Sequence, residues 1–347
     1  MRILLTGAGG PAAIGVARSL RHHYLIGMDC DRYALRFAET DARHLAPKAS
    51  EPSYLGFLNG LISAEGIEFV HAQPDPEVAF LSENRENVRA RTFLPRKETV
   101  RDCQDKLRCN RILARYGVAS PETVPLPDEI ALNRAWDRFM PGVGKMWVRA
   151  NTGAAGRGAY LALAGKYEQV RAWIESQHGW GTFQAAEYLP GRCVTWQSLW
   201  QDGRLIAAQG RERLEWHLAN RSPAGITGIT GVGRTITRAD VDEVGRMAVL
   251  AIDPTPDGIF GVDMKENADG VPCVTEINIG RFFTTIEFFA QAGLNFPDLY
   301  VRAATGEHVA PQQSLPEGLL WIRSMDARPL LVHESEIARP EMEMVGV

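Results

Sequence analysis

The chain has 347 residues, 45% of them hydrophobic and 23% charged, an ordinary globular balance with room for about two or three domain-sized units. A net charge of −4 and a pI near 6.1 exclude an overall basic field for nucleic acid or an anionic membrane, and no apolar run approaches the roughly 20 residues that span a bilayer. Five cysteines (Cys30, Cys103, Cys109, Cys193, Cys273) and eight histidines show no metal-ligand spacing, the expectation for a reduced, cytoplasmic protein without structural zinc.

In chain order, RILLTG (2–7) reads as a buried first strand and not as a signal peptide, GAGGPAAIG as a tight turn, and AAIGVARSL as a helix. Adjacent His22 and His23 are expected to point to different sides. YLIGMD (24–29) and IEFVHAQ (67–73) are strands, with a helix near 54–65 between them. This alternation over 1–95 predicts a parallel, Rossmann-like α/β unit. A helix over 104–116 ends at Gly117, and SPETVPLPDE follows as a proline-rich connector. KMWVRA (145–150) and YLALA (160–164) flank a second glycine-rich turn, NTGAAGRG. After the strand in GTFQAAEYLPG comes a hairpin turning at Asp202-Gly203, and then a third glycine-rich loop, 222–233. A helix at 239–252 precedes a strand–turn–strand pair, GIFGVDMKENADGVPCVTEINIGR; a helix near 284–292 and strands near 319–333 complete the chain. Trp196 and Trp200, four apart in a strand, share a face as packing residues.

Gly7-Ala8-Gly9-Gly10-Pro11-Ala12, with Asp29 twenty residues after Gly9, fits the dinucleotide pattern and supports an NAD(P) oxidoreductase if taken alone. Any doubly wound unit, however, needs such a turn, and it makes an anion site whatever the ligand.

The stretch TEINIGR (275–281) carries stronger chemistry. In a strand Glu276 and Asn278 share one face, and Asp263 lies at the same level if the 267–270 turn closes a hairpin. Three oxygen donors so placed suit one or two Mg²⁺ ions against nucleotide phosphates, and Arg281 suits a phosphate by its planar fork. The competing reading is a solvated hairpin edge.

The order of these motifs resembles the ATP-grasp superfamily, above all the ATP-grasp unit of carbamoyl-phosphate synthase large subunits and stand-alone carboxylate–amine ligases. The resemblance covers roughly residues 1–310. It implies a Rossmann-like domain over 1–100, a small grasp lobe with a glycine-rich lid over 101–185, and a large lobe with the metal site over 186–347: α/β at the N-terminus and α+β in the grasp. It further implies that Lys106 reaches the nucleotide phosphates, that Gly153, Gly156 and Gly158 belong to the lid, and that the backbone of Glu187, Tyr188 and Leu189 meets the adenine edge. By the same match Asp263, Glu276 and Asn278 hold Mg²⁺, for which Mn²⁺ substitutes, while Arg281 and Arg149 act on the transferred phosphoryl group. The loop QPDPE (73–77), with Asp75 and Glu77, would face the substrate and not NAD.

Arg149 stands where the family has lysine, Ala150 where it has proline, Ala155 at one lid glycine, and Cys193 where an acid commonly holds the ribose. Arg211 and Arg213 alternate in GRERLEW, either gripping a substrate carboxylate or phosphate or lying on a solvated edge. The loop 222–233, with Ser222, Thr227 and Thr230, is expected to line the acceptor pocket. The implied activity is ATP-dependent joining of a small-molecule carboxylate to an amine through an acyl phosphate, with homodimers a common outcome in the family. Carboxyphosphate or thiol-acceptor chemistry, an NAD(P) oxidoreductase and a non-catalytic nucleotide-binding protein are the alternatives.

Overall fold

A computed structural model describes residues 1–153, 158–217, 229–324 and 330–336. Its first sheet is parallel, from β1 (Arg2–Thr6), β2 (Tyr24–Asp29), β3 (Ala42–Leu45) and β4 (Phe69–His71), in the order β3-β2-β1-β4. β1 and β2 are buried apolar runs, as crossover-linked parallel strands require. Helix α1 (Pro11–Ser19) begins with Pro11, whose missing N–H costs nothing in a first turn. Helix α2 (Tyr54–Glu65) ends at Gly66, left-handed at φ 60°. Residues 73–77, read above as a loop, instead run into α3 (Asp75–Asn84), where Asp75 and Glu77 complement the positive end of the helix.

The helix expected over 104–116 is α5 (Lys106–Arg115); a further helix, α4 (Lys97–Gln104), precedes it, and the two are separated at Asp105. Asp105 leaves the helical region and caps α5, its carboxylate accepting from the Arg108 N–H at 3.0 Å. Both helices pack on the strand that carries Glu276.

A second sheet is antiparallel: β5 (Thr123–Leu126), β6 (Lys145–Ala150), β7 (Ala159–Leu163) and β8 (Phe183–Glu187), ordered β5-β8-β6-β7. The proline-rich connector therefore contains a strand, β5, an edge strand where Pro125 costs no interior ladder bond. Helices α6 (Glu129–Phe139) and α7 (Tyr167–Ser176) cover one face, and Leu132, Val148, Val170, Ile174 and Ala185 give this sheet a core of its own.

The third sheet holds β9 (Cys193–Gln201), β10 (Arg204–His217), β11 (Ile229–Ile236), β12 (Gly258–Glu266), β13 (Pro272–Ile279), β14 (Leu319–Ile322) and β15 (Leu330–His333), in the order β13-β12-β9-β10-β11-β14-β15. Residues 229–233, expected in a loop, are thus strand; Ser222 and Thr227 lie outside the described residues, as do Ala155 and Gly156 of the lid. Helix α8 (Ala239–Ile252) packs beneath β9 and β13, and α9 (Ile286–Gln291) and α10 (Phe296–Ala304) follow the last site strand. Trp196 and Trp200 are fully buried here, as expected of packing residues. The first and third sheets share two apolar clusters, one joining Leu4 and Ile26 to Trp196 and Val262, the other Ile3 and Leu5 to Phe282 and Phe289. The second sheet has its separate core and meets the third through polar contacts such as Arg149 with the Thr275 carbonyl.

Candidate active site

The site is one level of the third sheet. Cross-strand register places Glu276 (β13) opposite Asp263 (β12), Asp263 opposite Thr195 (β9), and Thr195 opposite Arg211 (β10). Directly paired residues share a face, so all four stand on one surface, with Arg213 and Asn278 one pleat along. A strict hairpin counted from the 267–270 turn would pair Asp263 with Thr275 and send Glu276 to the far side. A bulge resolves this: Met264 pairs with Val274, and the next pair is Asp263 with Glu276. The extra residue, Thr275, donates its hydroxyl to the Asp263 carbonyl at 3.0 Å and offers its own carbonyl to Arg149 Nη2 at 2.8 Å. The bulge both aligns the carboxylates and docks the second sheet on the third.

Asp263 is wrapped in donors. Oδ1 accepts from Arg213 Nη2 at 2.6 Å and from the Thr195 hydroxyl at 2.7 Å, and Oδ2 accepts from Asn278 Nδ2 at 3.1 Å. Burial by itself would raise its pKa, but Arg213, the Thr195 hydroxyl and Arg211 outweigh it and hold the carboxyl below the usual range. Arg211 is 1% exposed, lies 4.3 Å over the Phe283 ring, and donates to the hydroxyls of Thr285 and, at 3.1 Å, Thr195. Burial, then the neighbouring Arg213, pull its guanidinium well below its ordinary value. This is no solvated edge: the buried Arg211 and the partly buried Arg213 both lie beside the Asp263 carboxylate, and with Glu276 the level sets two guanidiniums against two carboxylates.

The other cations converge from different elements. Lys106, the first residue of α5, donates from Nζ to the Gly153 carbonyl at 2.7 Å and stands 3.5 Å from Glu276 Oε2, while its N–H donates to the Asn151 carbonyl. Arg149 Nε and both amide atoms of Gln184, its cross-strand partner, are buried without partners among the described residues. The two orphaned donors, Arg149 Nε and Gln184 Nε2, suit phosphate oxygens. Arg281 follows Gly280, whose φ of +68° turns the chain sharply off β13; a Cβ there would sit 3.0 Å from Leu94 and Val78 side-chain carbons, so glycine is required twice over. The turn aims Arg281 at Asp75, which it pairs through Nε and Nη2, and at the side-chain Oδ1 of Asn278. Asp75 thus joins the row from the N-terminal unit. Glu77 does not: it is buried, accepts from the Tyr54 hydroxyl at 2.9 Å, and burial raises its pKa.

At the crossing from β8 to β9, the Glu187 N–H is taken by the Glu122 carbonyl at 3.0 Å, Lys145 Nζ lies 5.1 Å over the Tyr188 ring, and Leu189 is buried. Cys193 Sγ lies 3.5 Å from Lys265 Nζ, which also donates to the Gly191 carbonyl at 2.7 Å. Gly153 and Gly158 both have positive φ, and the Ala150 N–H donates to the Gly158 carbonyl at 2.7 Å, closing the base of the lid turn.

The first glycine motif is accounted for without a dinucleotide. A Cβ at Gly9 would lie 1.9 Å from the Ala34 carbonyl oxygen, and one at Gly7 would lie 2.4 Å from Pro74 Cγ. Asp29 Oδ2 accepts from the Gly9 N–H at 3.1 Å and Oδ1 from Asp31 at 2.9 Å. The glycines admit neighbouring backbone, and the acid that would meet a ribose is spent on the turn.

Sequence reasoning missed Thr195 and Thr285, which hold Arg211, and the Asp75–Arg281 pair. A strict hairpin counted from Asp202-Gly203 pairs Arg211 with Val194; an irregularity between Leu205 and Ala207 shifts the register by one and brings Thr195 opposite instead.

Among the described residues no helix is long and apolar enough to cross a membrane. No family model and no curated protein sequence matches the chain. Solved structures do. Carboxyaminoimidazole ribonucleotide synthase from Aspergillus clavatus, complexed with ATP, superposes with TM-score 0.70 at 16% identity, covering 92% of this chain and 81% of that one. Biotin carboxylase from Campylobacter jejuni, in a β-γ-ATP complex, gives 0.71 at 16% identity over 92% and 74%. L-amino acid ligase from Bacillus licheniformis gives 0.65 at 11% identity over 92% and 78%. The N-terminal parallel sheet, the small antiparallel sheet and the large antiparallel sheet with its acidic row together make this chain an ATP-grasp fold.

Proposed function

We propose that the chain is an ATP-dependent ligase that activates a carboxylate as an acyl phosphate for attack by an amine, releasing ADP and phosphate. The observation that carries this reading is the bulge-aligned pair Asp263–Glu276, flanked by Asn278 and ringed by Lys106, Arg149, Arg213 and Arg281. Asp263 Oδ2, the Glu276 carboxylate and the Asn278 carbonyl are hard oxygen donors on one face, a set that fits Mg²⁺. When bound there, the ion neutralises charge on the phosphate oxygens.

The chain's own residues do the rest by positioning and charge. Lys106 and Arg149 come from two elements that close on the same point, one to orient the phosphates and one to bridge the sheets. Arg281 meets the transferred phosphoryl group on release from Asp75 and Asn278. Arg211 and Arg213, two cations beside the single carboxylate of Asp263, hold the substrate carboxylate. The lid, with Gly153, Gly156 and Gly158, covers the phosphates and excludes water. The adenine edge meets the Glu187 carbonyl and the backbone of Tyr188 and Leu189, since the Glu187 N–H is engaged. In this reading residues 1–100 present the substrate side, 101–185 the lid lobe and 186–347 the metal lobe.

A carboxyphosphate route is the second reading. It is favoured by the resemblance to a carboxyaminoimidazole ribonucleotide synthase and a biotin carboxylase. One assay separates them: ADP release with ATP, Mg²⁺ and an amine panel, supplied either with organic carboxylates or with bicarbonate alone. ADP release requiring an organic carboxylate and an amine together supports the first reading. Release with bicarbonate alone moves the assignment to the second, and no release with any pair, in protein that binds nucleotide, counts against a ligase.

A further inference from the structure

His22 and His23 lie in the turn between α1 and β2, where the chain is neither helical nor extended. The His23 N–H donates to the Leu20 carbonyl at 2.9 Å, and the turn brings both imidazoles together, centroids 4.1 Å apart and planes tilted by 44°. The expectation that these neighbours point to different sides is therefore wrong, because it holds only inside regular structure. Asp298, in the first turn of α10, faces them, with Oδ1 3.0 Å from His22 Nε2. One ligand atom from each of the three residues lies within 4.8 Å of the other two.

The carboxylate is held in place from behind. Asn295 caps α10 by accepting from the Asp298 N–H at 3.2 Å, and its own amide donates to the Ser19 carbonyl at 2.9 Å, clamping the start of α10 to the end of α1. Arg302 stands 3.7 Å from the other oxygen, Oδ2, while Glu307 engages its guanidinium, so Oδ1 is the oxygen left toward the histidines.

From this geometry we propose that His22, His23 and Asp298 bind one divalent transition-metal ion of the zinc class, apart from the Asp263–Glu276–Asn278 row, and so tie the N-terminal unit to α10. Imidazole nitrogen with one carboxylate oxygen is the donor set of Zn²⁺, Co²⁺ and Ni²⁺, whereas Mg²⁺ and Ca²⁺ take oxygen ligands. Three protein ligands leave a position for water, and the His22 side chain, 53% exposed, gives the ion a way in.

The test uses the untagged 347-residue chain stripped with chelator and titrated with Co²⁺, read by visible d–d absorption and by thermal unfolding. Saturable binding of one ion per chain, displaced by Zn²⁺ and accompanied by a higher melting temperature, is expected. His23→Ala and Asp298→Asn should each weaken it by about tenfold or more, since even outer-shell changes cost that much at metal sites. Asp263→Asn should leave the cobalt spectrum unchanged, and circular dichroism checks that each variant is folded. Absence of saturable binding, unaltered binding in both the His23→Ala and Asp298→Asn variants, or a sulfur-to-cobalt charge-transfer band from the cysteines would each overturn the proposal.

Discussion

Replacing Asp263 by Asn distinguishes this site from an ordinary acidic metal cluster. Carboxylates gathered to hold a cation repel one another in its absence, and removing one normally stabilises the unliganded protein. Here Asp263 is the counter-ion of Arg213 at 2.6 Å and lies beside the fully buried Arg211. Neutralising it strands the Arg213 guanidinium and removes a neighbouring negative charge from the buried Arg211. Breaking one side of a buried pair costs about 3–5 kcal/mol, and side-chain exposures of 18% and 16% for Arg213 and Asp263 put this case near the lower bound, about 3 kcal/mol. Unfolding entropy for 347 residues is roughly 0.7 kcal/mol per degree, so Asp263→Asn should lower the melting temperature by about 4 °C without ligand. Arg213→Met in the same chain should recover part of the loss, because the stranded charge goes with it. Differential scanning calorimetry of the two single variants and the double variant measures this. An Asp263→Asn protein as stable as wild type, or more stable, would refute the charge accounting.

Three further outcomes are expected. Glu77, a buried carboxyl with a raised pKa, contributes stability that is present below its unfolded pKa and lost as pH rises through the folded value; Glu77→Gln, which still accepts from Tyr54, should therefore be near neutral at pH 4 and stabilising at pH 8 in parallel melting curves. Gly280→Ala forces a side chain into a left-handed backbone against Leu94 and Val78 and should cost about 1–2 kcal/mol in urea unfolding while weakening nucleotide binding through a misaimed Arg281. Lys106→Gln removes a charge-assisted contact and should raise the Kd for Mg²⁺-ATP by roughly tenfold to a hundredfold in calorimetric titration, with an unchanged melting temperature in the absence of ligand.

Residue types and spacings carried the outline of the site a long way. The D-x₁₂-E-x-N pattern, the two glycine-rich turns and the order of strands and helices were enough to expect the fold. The alignment of Asp263 with Glu276 was not derivable from the turn length, because one extra residue at Thr275 reverses the facing of everything after it. A shift near Ile206 likewise hid the pairing of Thr195 with Arg211. The Asp75–Arg281 contact spans 206 residues of sequence, and only the packing of α3 against the end of β13 brings it about. Asp29 was the opposite case: its spacing matched a ribose-binding acid, yet it holds the turn that suggested the match.

The most direct test of the central claim is thermal unfolding with Mg²⁺-ATP, with ATP plus EDTA, and with NADPH, each near 100 times its Kd or at the highest soluble concentration. Binding at that saturation adds about 2.7 kcal/mol to the native state, or roughly 4 °C here. The account predicts a shift with Mg²⁺-ATP that shrinks in EDTA and in Glu276→Gln, and none with NADPH. A shift with NADPH and none with Mg²⁺-ATP would contradict it and return the glycine turn at residues 7–12 to the centre of the question.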